Sequence, residues 1–219
     1  MPPLQHSSDV TPGGASSAEG PTRYRTIAKR FCYEPDKIKG SRFIANLSPV
    51  ITTAEAEAFL QEIRNEFPDA GHHCFAWIID PQGKQTRSSD DGEPGSSAGP
   101  PILRMIEGHD LTGLIIVVSR WFGGTKLGVG GLMRAYGGTA GEAMDRCEIR
   151  EVRVKIALTL CYPYECSGPI EGLLKSCEVK TNNAEYGEDV TLDLVLPKDR
   201  HAEFVAEVIE RTAGRARIT

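Results

Sequence analysis

Asp90, Asp91 and Glu93 stand almost side by side, and Gly95-Ser96-Ser97-Ala98-Gly99 follows them directly. Oxygen ligands at that spacing suit a hard cation, and magnesium often needs only one or two carboxylates when substrate phosphates complete its shell. The same side chains equally suit capping of a following helix or pairing with Lys126 and Arg134. A second stretch, RWFGGTKLGVGG, comes after the apolar run LTGLIIVVS and before LMRAY. Glycines permit positive φ and turn backbone N–H groups inward, while the N-terminus of the next helix adds unpaired donors and partial positive charge. Gly123, Gly124, Gly128, Gly130 and Gly131, with Lys126 in the loop and Arg134 one turn into the helix, therefore read as an anion or RNA-phosphate cradle. A tight crossover packed on Trp121 and Phe122 fits them as well. The loop lacks the Gly-x4-Gly-Lys-Ser/Thr pattern, and Met133 stands where a dinucleotide fingerprint needs its third glycine.

Other reactive residues point to packing. Neighbours on a strand face opposite ways, so His73 and Cys74 cannot meet at one place, and a buried thiol beside a hydrogen-bonded imidazole is expected. The six cysteines, at 32, 74, 147, 161, 166 and 177, show no CxxC pair and no matching histidine, so they predict free thiols and no zinc site. No HExxH, GxSxG or paired-acid spacing supports hydrolysis. Residues 23–42 carry seven basic side chains against Glu34 and Asp36, which fits either solvated strand faces or a patch for phosphate backbones.

The elements that must position these residues follow from periodicity. SRFIANLSPV reads as a strand, and Thr52 with Glu55 forms a capping box for a helix running to about Phe67 on Phe59, Ile63 and Phe67. HCFAWIID is a strand whose hairpin partner leads into the acidic loop. Pro100 and Pro101 suit the first turn of a helix over PPILRMIEG. LTGLIIVVSRW is a strand buried on both faces. A helix from about Gly130 to Arg146 contains Gly137, Gly138 and Gly141, which predict close approach to a neighbour because each costs helix stability. Beyond a boundary near residue 148, REVRVKIALTLCY, SGPIEGLLKSC, EVKTNNAEY, DVTLDLVLP, KDRHAEFVAEVIERTAG and RARIT read as βαββαβ. That is the ferredoxin-like plan.

Composition narrows the function. With 40% hydrophobic residues, 219 residues can bury the cores of two domains; the expected division is a flexible tail over 1–22, a first domain over 23–148 and a second over 149–219. A formal charge of −5 argues against indiscriminate nucleic-acid binding, so contact with nucleic acid must be local, and DNA is not specifically implied. No apolar run is long enough to span a bilayer and the start has no signal-peptide pattern, which predicts no membrane association and a cytoplasmic protein.

Taken together, His72-His73-Cys74, Ser89-Asp90-Asp91-Gly92-Glu93-Pro94 and the run Arg120 to Tyr136 closely resemble the IMPACT family, in particular its bacterial YigZ-type members. The resemblance covers about residues 23–219. It implies an α+β protein of two domains, the first like a domain shared by a small-subunit ribosomal protein, elongation factor G and galactokinase-type kinases. The second resembles the C-terminal domain of elongation factor G. Eukaryotic relatives are translation regulators that act through an added N-terminal RWD domain, which is not found in this sequence. Where such proteins tend to carry Gly-Thr-Ala-Gly and a basic residue, this chain has Ser96-Ser97-Ala98-Gly99-Pro100: the Ser97 hydroxyl is kept and the charge is lost. The resemblance implies a translation-associated regulatory protein without established catalysis or cofactor, binding RNA or a ribosome-associated partner. The alternative from the acidic loop is an enzyme or binding protein that holds magnesium and a phosphorylated or nucleotide small molecule through Asp90, Asp91, Glu93 and Ser97.

Overall fold

The computed structural model describes residues 20–82 and 85–219, in which Pro21–Val154 and Lys155–Thr219 form separate compact units. The expected tail lies, as far as residue 19, outside the described residues.

The first unit is built on an antiparallel five-stranded sheet in the order β2 (Phe31–Tyr33), β3 (Arg42–Pro49), β6 (Leu114–Trp121), β4 (His72–Ile78), β5 (Thr86–Ser89). Because alternate residues face opposite ways, β4 and β6 supply two cores. Phe75, Trp77, Ile115 and Val117 meet Ala56, Phe59, Leu60 and Ile63 of α1 (Thr53–Glu66) on one face. Cys74, Ala76, Ile116 and Val118 meet α2 (Gly99–Gly108) and α3 (Val129–Arg146) on the other. Two-sided coverage explains why LIIVV, residues 114–118, is apolar throughout.

Local sequence rules set the helix ends. Thr52 Oγ1 accepts from Glu55 N at 3.2 Å, and Glu55 Oε2 accepts from Ile51 N at 2.7 Å, which together start α1. Prolines occupy the first positions of α2. The α3 glycines divide by environment. A Cβ at Gly141 would stand 2.5 Å from Met105 Cε and one at Gly137 3.7 Å from Pro101 Cβ, so both let α3 approach α2. Gly138 faces open space, against expectation.

The stretch REVRVKIALTLCY is not one strand. It divides at Val154 into β7 (Ile149–Arg153), which pairs with β1 (Arg23–Ile27) in the first unit, and β8 (Lys155–Pro163). The pairing carries the first unit past residue 148, and its buried anchor is Ile27.

The second unit runs β8, α4 (Ser167–Ser176), β9 (Lys180–Tyr186), β10 (Asp189–Pro197), α5 (His201–Thr212), β11 (Arg217–Ile218), with antiparallel sheet order β11-β8-β10-β9. Alternate residues of β8 and β10, from Leu158 to Tyr162 and Val190 to Leu196, pack with Ile170 and Leu173 of α4 and Phe204 and Val208 of α5. The helices thus cover one face of the sheet. Ala213 at φ 51° and Gly214 at φ 73° end α5 in the left-handed region. No helix among the described residues is long and apolar enough to cross a membrane.

Candidate functional site

The acidic loop between β5 and α2 is occupied by its own protein. Asp90 sits ahead of α2, where the first N–H groups of the helix lack partners. Its Oδ1 accepts from Ala98 N at 2.8 Å and Gly99 N at 2.9 Å, and its Oδ2 accepts from Ser96 N at 2.7 Å. Gly99 has to be glycine, since a Cβ there would lie 2.7 Å from the Ser89 backbone. Asp91 accepts from Arg64 Nη2 at 2.9 Å and from His73 N at 2.6 Å, tying the loop to α1 and β4. Glu93 reaches inward: its Oε1 accepts from Arg120 Nη1 at 2.6 Å and from Tyr136 Oη at 2.7 Å, with the side chains of Glu93 and Arg120 only 4% and 7% accessible.

Both carboxylate oxygens of Asp90 and Asp91 and the Oε1 of Glu93 already hold protein donors. Among the described residues no group of three His, Cys, Asp or Glu side chains that could hold a metal ion is found. The expected partners Lys126 and Arg134 are replaced by Arg64 and Arg120. Ser97 is fully buried with an unpartnered Oγ, so it does not present a hydroxyl to a phosphate in solvent.

The histidine and cysteine positions obey the alternation of β4. His72 Nδ1 donates to the Asp91 carbonyl at 2.8 Å, and its Nε2 stands 3.9 Å from Glu93 Oε1, beyond hydrogen-bond reach. His73 turns to the other face, where Nδ1 meets Ser119 Oγ at 2.9 Å; burial holds its pKa below the ordinary value, opposed in part by Asp91. Cys74 donates to the Asp90 carbonyl at 3.0 Å, and burial pushes its thiol up to about 12. Tyr136 is likewise raised by burial first, then by Cys74 and Glu93. Neither group ionises near neutral pH, so the Cys74 thiol and the Tyr136 phenol are not poised as nucleophiles.

The glycine loop is held from below and open above. Ser41 Oγ accepts from Gly123 N at 3.2 Å and from Arg120 Nη2 at 3.4 Å, joining the loop to the buried Glu93 network. Gly123 packs directly on the backbone of Gly40, leaving no room for a Cβ on either residue. Gly124 (φ 87°) and Gly128 (φ 71°) then lift the chain into α3, whose N-terminus has no side-chain cap. Phe122, Val129 and Met133 are exposed, Phe122 by 59%, so the loop does not fold back over its aromatic residue. Trp121 packs instead against Phe67 and under Arg42, and donates to Asp69 at 2.9 Å.

Charge completes the rim. Most of the basic segment is neutralised: Arg23, Lys29, Arg30 and Arg42 pair with Glu151, Glu148, Glu62 and Glu34, and Arg25 donates to the His109 carbonyl. The phosphate patch expected over 23–42 shrinks to Lys37 and Lys39. Both are exposed, and the turn that carries Lys39 leads into Gly40 against Gly123. Lys126 and Arg134 are exposed and form no ion pair with any described residue. Arg134 lies back over the first turn of α3, where a Cβ on Gly130 would stand 3.6 Å from its Nη1. Lys39 precedes the Gly40 that packs on Gly123, Lys126 lies within the glycine loop and Arg134 over the first turn of α3, so three exposed cations, the uncapped amides of α3 and the exposed Phe122 ring belong to this loop and the turn packed on it. Arg120 was the residue that motif reading passed over, although a lone guanidinium in an otherwise apolar buried strand calls for a buried carboxylate.

The Impact N-terminal domain profile matches residues 39–144, and a domain of unknown function, DUF1949, matches 162–215. The chain is 37% identical over 181 residues to the IMPACT family member YigZ of Escherichia coli K12, covering 82% of this chain and 89% of that one. It is 33% identical over 181 residues to the IMPACT family member YvyE of Bacillus subtilis, covering 83% of each. Human Protein IMPACT is 33% identical over 93 residues, 40% of this chain and 28% of that one. A solved structure described only as a hypothetical protein superposes with a TM-score of 0.72 at 35% identity, covering 90% of this chain and 96% of the other.

Proposed function

The chain belongs to the IMPACT family, and from that premise we propose that it is a cytoplasmic, translation-associated regulatory protein that binds RNA through Lys39, Lys126, Arg134 and Phe122. The observation that carries this reading is selective charge pairing: Arg23, Lys29, Arg30 and Arg42 are matched by carboxylates, while Lys39, Lys126 and Arg134 pair with no described carboxylate. Unpaired cations beside free backbone donors suit phosphate oxygens, and an exposed phenyl ring suits an unstacked base. That combination favours single-stranded or looped RNA over a regular duplex. The net charge of −5 confines the contact to this rim. Translation as the setting comes from the family resemblance, which brings in the eukaryotic regulators and the elongation-factor-like, ferredoxin-like domain plan.

The magnesium-dependent alternative finds no free carboxylate set in the acidic loop, and the buried thiol and phenol give it no reactive group. Binding of the full chain to a fluorescent hairpin RNA is measured against salt. The expected log–log slope is negative, with each lost phosphate contact reducing it by about 0.7–0.9. Lys126→Ala with Arg134→Ala should weaken binding and flatten that slope, and Phe122→Ala should weaken binding without changing it. Binding that is absent at low salt, or equal in parent and double variant, refutes the assignment.

A further inference from the structure

Phe43, Arg120 and His72 stand opposite one another across β3, β6 and β4, so their side chains share the face covered by α2 and α3. Glu93 reaches into this row from the acidic loop. Its Oε1 holds Arg120 and Tyr136, but no described residue donates to its Oε2. His72 approaches the same carboxylate without bonding to it: Nε2 stands 3.9 Å from Glu93 Oε1, and the imidazole is 30% accessible. The Asp91 carbonyl can only accept, so Nδ1 carries the proton and the Nε2 of the neutral ring is left as an acceptor.

We infer that this gap takes the exocyclic amino group of an RNA base, so that the chain prefers amino-bearing bases, cytosine among them, to uracil. Such base selection rests on the RNA-binding reading above. Two acceptors stand 3.9 Å apart without a donor, and an amino nitrogen has two N–H bonds with which to serve both. The Glu93 side chain is only 4% accessible, and a buried carboxylate oxygen that lacks a donor is costly.

Charge then selects among donors. Arg120 already answers the carboxylate at 2.6 Å, so the gap calls for a neutral group, and a lysine or arginine entering it would be repelled by the guanidinium. A hydroxyl has one proton and satisfies one acceptor only. Cytosine presents an amino group where uracil has a carbonyl oxygen, which would be a third acceptor beside two. The platform for the base is close by. The guanidinium carbon of Arg120 lies 5.7 Å from the centre of the exposed Phe122 ring while its Nη1 holds Glu93. One side chain therefore links the ring that stacks a base to the carboxylate that reads its edge.

The test measures binding of the full chain to hairpin RNAs of one stem whose loops are all cytosine, all uracil or all N4,N4-dimethylcytosine, which keeps the ring and loses both N–H bonds. Cytosine should bind about tenfold tighter than uracil, toward the lower end for a two-bond base contact, and dimethylcytosine should match uracil. His72→Asn keeps a donor where Nδ1 stands and removes Nε2. It should bring the cytosine loop down to the uracil affinity, while the uracil loop binds as it does to the parent with an unchanged salt slope, which also reports that the variant is folded. His72→Gln, whose amide oxygen can stand in for Nε2, should keep part of the preference. Cytosine and uracil loops bound equally by the parent overturn base selection and leave RNA binding standing, and a full preference that survives in His72→Asn overturns the assignment to this gap. If no loop binds, both readings fall.

Discussion

The buried contact between Glu93 and Arg120 makes the sharpest demand on the first unit. In Glu93→Gln the amide oxygen still accepts from Tyr136, but the negative charge opposite Arg120 is gone. The guanidinium stays in place, 7% accessible, with its Nε already lacking a partner. Breaking one side of a buried pair costs about 3–5 kcal/mol, because the remaining charge is left uncompensated. That corresponds to a fall in the unfolding midpoint of roughly 10–20 °C for a unit of this size. Both tryptophans, Trp77 and Trp121, lie in the first unit, so urea unfolding followed by their fluorescence reports it directly. Removing both charges in Glu93→Leu with Arg120→Met should recover most of the loss, to within about 1–2 kcal/mol of the parent, because no buried charge is stranded. A Glu93→Gln protein within about 1 kcal/mol of the parent at unchanged urea slope refutes the reasoning.

Other groups in the first unit make further demands. Asp90→Ala strips the acceptor from three backbone amides at the start of α2 and should cost about 2 kcal/mol in the same urea assay, at the upper end for a lost cap. With its thiol pushed up to about 12, Cys74 should resist alkylation at pH 8 until the chain unfolds. The unfolded thiol releases its proton near 9.0 while the folded one holds it, so stability should fall as pH rises between about 9 and 12, and Cys74→Ala should flatten that part of the profile. Gly138→Ala, which faces open space inside α3, should raise stability by about 0.5–1 kcal/mol, whereas Gly99→Ala should lower it by about 2 kcal/mol or more through collision with the Ser89 backbone.

Elements with strong periodicity were legible in the sequence: α1 from its capping box, β6 from its unbroken apolar run, and the βαββαβ order of the second unit. The split at Val154 was not. Residues 149–153 and 155–163 are both strand-like, and only the choice of partner, β1 or β10, separates them. Pairing partners are tertiary facts that local pattern does not encode. The same limit governs Gly138 and Gly141, which look alike in the sequence but face open space and Met105 respectively.

For the candidate site, residue type singled out the acidic and glycine loops but could not show which protein groups their side chains meet. Asp90, Asp91 and Glu93 lie in one loop, yet each holds protein donors: Asp90 the local amides of Ser96, Ala98 and Gly99, and Asp91 and Glu93 the distant Arg64 and Arg120 with Tyr136. This pairing has a consequence for the loop beside it. Glu93 fixes Arg120, Arg120 donates to Ser41, and Ser41 accepts from Gly123, so the carboxylate that seemed a ligand is a positioning group for the glycine loop. Asp91 is paired with the half-exposed Arg64 and Glu93 with the buried Arg120, and no described carboxylate pairs with Lys126 or Arg134. Positive charge at the rim and its absence from the basic strands are therefore two results of one pairing pattern. If that chain of contacts is what presents the rim, Ser41→Ala should disorder Gly123 and Gly124 and weaken RNA binding without removing a single cation. Equal RNA affinity in Ser41→Ala, with the Gly123 amide resonance unshifted, would separate the buried network from the surface it is argued to hold.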